Sequence, residues 1–288
     1  MTAYSLTEAP DVLPEGTRPN WLQAGSSDVS VGDLWLLSWN GDAPMLVVLA
    51  RVIDDYVLGC PVTLASEPSF APALGAQSAV LNVPLSIWPV AETGLGRHLL
   101  TRNYGPLISE QTARAMRRYA EDGAEAPLPV VDGDFDQDVF DNLLTRMQSL
   151  CFHEWPTAEP GHALLDRPAM NAHNASVQML VDVLDVDVPT ASGLLQGHLV
   201  PTREQVAALA DHLDVADPAH LLSVPTDEAA RALIQPKFKA KLLAVMARFH
   251  DDEASARRRA REEYALAARS DASSLERMDE ALNRLLGP

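Results

Sequence analysis

The chain has 288 residues, of which 47% are hydrophobic and 22% charged. That composition supports buried cores and excludes wholesale disorder, and the length suits about two domains rather than one. Its net charge of −18, from 22 Lys and Arg against 40 Asp and Glu, repels phosphate backbones, so nucleic-acid contact would need a local basic patch. No run approaches the roughly 18 apolar residues of a membrane helix. The opening MTAYSLTEAPDVLPEG lacks a basic end followed by an apolar stretch, and Cys60 and Cys151 are too few for a disulfide framework. A cytoplasmic protein with reduced thiols, no membrane association and no cofactor is expected.

In chain order, residues 1–28 are rich in Pro, Gly, Ser and Thr without apolar periodicity and read as an irregular lead-in. From Asp33 the runs DLWLLSW, MLVVLARV, YVLGCPVTL and AVLNVPLSIWPV are dense in β-branched, aromatic and Leu residues. Asn40-Gly41-Asp42, Asp54-Asp55 and Glu67-Pro68 separate them as turns. A small antiparallel barrel over 29–121 follows, closed by a helix from Ile108 to Tyr119 with Ser109 as its N-cap. Residues 122–137 have the acidic, Pro- and Gly-containing composition of a linker. A helical domain is expected over 138–224, beginning with an amphipathic helix through Val139, Leu143, Leu144, Met147 and Leu150, and a helical tail over 225–288. The fold class is therefore α+β and multi-domain.

Within the helical domain, SVQMLVDVL makes one apolar-faced helix, DVD turns the chain and PTASGLLQG makes the next, with Pro189 in a first-turn position and Gly197 as the stop. PTREQVAALADHLDV then supplies Thr202 as N-cap and Val206, Leu209 and Leu213 as a buried stripe. This succession, about Ser176 to Leu222, resembles the lambda-repressor-like, or XRE, helix-turn-helix family. The resemblance implies a recognition helix in the DNA major groove, with Thr190, Ala191, Ser192 and Gln196 at base-reading positions and Arg203 beside them. Residues 171–222 carry one basic residue against seven acidic ones, whereas 223–288 carry twelve against eleven. Arg257, Arg258 and Arg259 are accordingly the candidates to supply phosphate contacts.

The order VGDLWLL, APMLVVLA, GCPVTLAS and the closing GPLISEQTARAMRRY is similar to the PemK/MazF-like toxin family, small SH3-like barrels that cleave RNA. By that resemblance Thr63 matches the hydroxyl of the cleavage site. Its basic partner would fall near Asp42-Ala43-Pro44, where no base occurs, and Arg51 lies at the wrong end of the strand. A catalytically silent barrel that binds a partner or ligand is the expectation.

Leu275, Met278, Leu282 and Leu285 follow a 3-4-3 spacing that asks for a partner, so a homodimer through the C-terminal helices is expected. Cys151, His153, His162 and His173 fit no zinc spacing. The Asp132 to Asp138 run opens like a calcium loop but lacks its later Gly and Glu. Three readings emerge: a helix-turn-helix DNA-binding transcriptional regulator with a toxin-like barrel, a ribonuclease toxin fused to its regulator, and an adaptor that uses both folds for protein contacts.

Overall fold

The computed structural model describes residues 4–23, 25–54, 56–151, 163–196, 199–223, 227–266 and 272–287. A short helix α1 (Arg18–Leu22) precedes strands β1 (Asp33–Trp39), β2 (Asp42–Val52), β3 (Tyr56–Leu64), β4 (Leu74–Ser78), β5 (Val83–Ile87), β6 (Thr93–Gly96) and β7 (Leu100–Pro106). These seven form an antiparallel sheet in the order β4-β5-β3-β2-β1-β7, with β6 also on β3, curled into a half-barrel. The β1–β2 hairpin turns on Asn40 and Gly41, both at positive φ (52° and 85°), as a two-residue loop of this handedness requires.

The central strands are apolar almost without interruption because both faces of the sheet are covered. Leu34, Leu36, Leu46, Val48, Cys60 and Val62 join one core, sealed by Ala113 and Met116 of α2 (Glu110–Asp122). Trp35, Leu37, Met45, Val47 and Leu49 join the other, sealed by Leu143, Met147 and Leu150 of α3 (Gln137–Cys151). Helix α2 starts where the N-cap reading placed it, with Ser109 accepting from the Thr112 amide.

Two sequence expectations change here. The lead-in is partly helical: Trp21 is wholly buried, donates its indole N–H to Ser5 O at 2.9 Å and stacks on Tyr104 at 5.4 Å. A large aromatic at a chain end finds burial whatever the composition around it. Residues 122–137 do not stand free as a linker, since Gly75 N donates to Pro129 O at 2.7 Å and Val131 N to Ala73 O at 2.9 Å. Helix α3 consequently belongs with the sheet.

A second unit, residues 157–227, contains β8 (Leu164–Leu165), α4 (Arg167–Ala172), α5 (Val177–Leu184), α6 (Val188–Leu195), α7 (Arg203–His212) and β9 (Leu222–Ser223). Its ends are tied by the antiparallel β8–β9 pair. Its core is Leu165, Met170, Leu180, Ala191, Leu194, Leu209, Ala210 and Leu221. Thr202, the predicted N-cap, closes a capping box with Gln205, and two further caps are present, Ser176 accepting from Met179 N and Asp187 from Thr190 N. Gly197 lies outside the described residues.

The chain then returns to the first unit, which comprises 1–156 and 228–288, so the expected boundaries at 122–137 and 224 are replaced by this nested division. Helices α8 (Glu228–Leu233), α9 (Lys239–Phe249), α10 (Glu253–Leu266) and α11 (Ser274–Leu286) build their own core. Met278 and Leu282 are fully buried in it and Leu285 packs against it. Met278, Leu282 and Leu285 of the seam that suggested a homodimer thus pack within one chain, while Leu275 is 38% exposed. Among the described residues no helix is long and apolar enough to cross a membrane.

Candidate functional site

Helices α5 and α6 are joined by Asp185 in the left-handed region (φ 51°), Val186 and the cap Asp187, which sets the two helices as consecutive, closely packed elements. Ala191 and Leu194 point into the core and are 0% and 2% exposed. Ala191 therefore cannot read a base, which corrects that assignment: it occupies the inward period of an amphipathic helix. Thr190 is half-buried, and its amide binds Asp187 Oδ1 at 2.9 Å. Ser192 and Gln196 lie one turn apart and join through Gln196 Nε2 to Ser192 Oγ at 3.0 Å. Arg203 is exposed in the first turn of α7.

The sequence reading missed the apolar part of this surface. Val188, Leu199 and Val200 are 58%, 44% and 49% exposed, and Leu199 lies on Gly193, where an added Cβ would come within 2.8 Å of it. Val188, Ser192 and Gln196 fall at helical spacing along one outward row. Periodicity hid it: Val188 stands three residues before Ala191 and so shares the spacing that carries Ala191 and Leu194 inward.

Charge around this row is negative. The second unit contains Arg167 and Arg203 against ten Asp and Glu. Hydrogen bonds from the Thr190 hydroxyl and amide hold Asp187 below the usual carboxylate range, and backbone and Thr202 hydrogen bonds do the same for Glu204. Both remain ionised at neutral pH.

The tail arginines do not offset this. Arg257 is 3% exposed, which overturns its assignment to phosphate. Its guanidinium donates to Glu253 Oε1 at 2.6 Å and to Leu233 O at 2.8 Å. Lys239 Nζ lies 2.7 Å from the same carboxylate oxygen and donates to Ser38 O at 2.9 Å. Glu253 and Asn40 close a reciprocal pair, with Glu253 N on Asn40 Oδ1 at 2.8 Å and Asn40 N on Glu253 Oε2 at 3.2 Å. These three charges fasten α9 and α10 to the tip of the β1–β2 hairpin. Arg259 is paired with Asp251 and lies over Phe249, while the exposed Arg258 donates to Ser255 Oγ at 2.9 Å.

Thr63, the hydroxyl implied by the toxin resemblance, is 0% exposed and accepts the Trp88 indole N–H at 3.1 Å. It is a packing residue that no RNA phosphate can reach. His153 and His162 lie outside the described residues. Comparison of the chain with protein-family models, with curated proteins and with solved structures finds no match.

Proposed function

We propose that the chain is a non-enzymatic adaptor in which a helix-turn-helix unit of lambda-repressor-like build serves protein contact, carried on an SH3-like barrel of PemK/MazF-like type. The observation that supports this most is an exposed apolar group at and just beyond α6. Val188 of α6, and Leu199 and Val200 after its end, face solvent on a unit with two arginines against ten acids. Duplex binding draws much of its affinity from neutralised phosphates, and Arg167 and Arg203 are the arginines this unit has to offer. Of the three cations expected from the tail, two are engaged, Arg257 with Glu253 and Arg259 with Asp251, which leaves the exposed Arg258. Burial of Thr63 weighs against the ribonuclease reading.

The second reading, a DNA-binding regulator, is favoured by Ser192 and Gln196, polar groups on the outward row of α6 that pair readily with base edges. Fluorescence anisotropy of the full chain against a pool of genomic duplexes at about 50 mM salt, where phosphate contacts are strongest, separates the two. The adaptor reading predicts no binding. Binding to a preferred duplex that falls in Gln196→Ala would replace it with the regulator reading.

A further inference from the structure

In the first unit a groove of about 730 Å³ runs between the end of β2 and the outer face of α2, and Arg51, Arg114, Arg117 and Arg118 line it. Because Ala113 and Met116 hold α2 to the barrel, Arg114, Arg118 and Glu121 fall on its outward side and the half-buried Arg117 at its flank. Val31 and Ala50 add apolar lining. Glu110 and Glu121 are the acids in the lining and Glu92 lies against Arg117, so four guanidiniums meet three carboxylates in a chain of net charge −18.

The four arginines are not equivalent. Arg114 is paired with Glu110, and Arg117 bridges Glu92 at 3.2 Å and Glu121 at 2.9 Å. Arg51 and Arg118 are exposed and make no ion pair with the described residues. From Arg114 to Arg118 the helix rises about 6 Å, the scale of a di- or triphosphate group. A nucleic acid would carry its phosphates well past the cluster onto a surface that is acidic overall.

We infer that this groove is a binding site for a compact polyphosphate group, such as that of a nucleoside di- or triphosphate. Arg51 and Arg118 supply the free guanidiniums, whose forked geometry matches phosphate oxygens. Arg114 closes on the anion from Glu110, one turn away, and Arg117 remains tied between its two carboxylates, holding the row in place. The site stands independently of what the helix-turn-helix unit binds.

Isothermal titration of the full chain with inorganic tripolyphosphate, ATP, orthophosphate and a short single-stranded RNA tests it, alongside Arg51→Ala/Arg118→Ala and the control Arg203→Ala in the other unit. Both substituted arginines are exposed, so an unchanged melting curve certifies the double variant. The expected result is one polyphosphate per chain, at least tenfold weaker binding in the double variant, and no change in the control. Absence of binding by tripolyphosphate and ATP, equal binding in the double variant, or orthophosphate binding as tightly as tripolyphosphate would overturn it. RNA binding tighter than either polyphosphate and lost in the double variant would instead assign the groove to nucleic acid.

Discussion

Lys239, Glu253 and Arg257 place two cations on one carboxylate in a site from which water is excluded. Such a cluster contributes little compared with an apolar replacement, but breaking it is costly because an uncompensated charge stays buried. Glu253→Gln should therefore destabilise the protein by about 3–5 kcal/mol in urea unfolding, whereas Arg258→Ala, one residue beyond Arg257 and exposed, should change it by less than about 0.5 kcal/mol. Burial lowers Lys239 from 10.5 to about 8, against the pull of Glu253. Between those values the unfolded chain holds a proton that the folded chain has shed. Lys239 accordingly adds stability as pH rises across this window and loses it as pH falls through about 8. Wild type should gain in urea midpoint relative to Lys239→Met between pH 8 and 10, and parallel midpoints would contradict the assignment.

At the scale of elements, what was legible is what is local. The starts of α2 and α7 were readable from Ser109 and Thr202 because a cap is a short-range hydrogen bond between a side chain and an amide two or three residues on, and Ser176 and Asp187 cap α5 and α6 in the same way. Thr202→Ala should cost the second unit about 1 kcal/mol in thermal or chemical unfolding. Which face of a helix is buried was less legible. Three consecutive arginines from Arg257 to Arg259 look alike in sequence. Only the row Glu253, Ala256, Arg257, Ala260 and Tyr264, all buried, separates the inward one, and its two charged members read as a solvated pair until the partner elements are known. The Leu275 to Leu285 seam was found by its period, but period says nothing of whether the partner belongs to another chain. Since Leu282 is fully buried by its own bundle, Leu282→Ala should cost about 2–5 kcal/mol. Sedimentation should show that the tail does not create a dimer through this seam.

Across the whole molecule the α+β class and the antiparallel sheet were readable from strand-length apolar runs, while the nested order of the chain was not. Residues 228–288 complete the unit begun by 1–156, and contacts separated by about two hundred positions, such as Asn40 with Glu253, leave no trace in local composition. That long return is also what removes Arg257 from the surface, and the second unit itself holds two arginines against ten acids. The central claim is that this unit meets protein rather than DNA. Crosslinking the full chain in its native cell, recovering bound nucleic acid and sequencing it tests the claim most directly. The account predicts neither an enriched operator nor cleaved RNA, with Gln196→Ala giving the same background as wild type; a sequence motif enriched by wild type and lost with Gln196→Ala would contradict it.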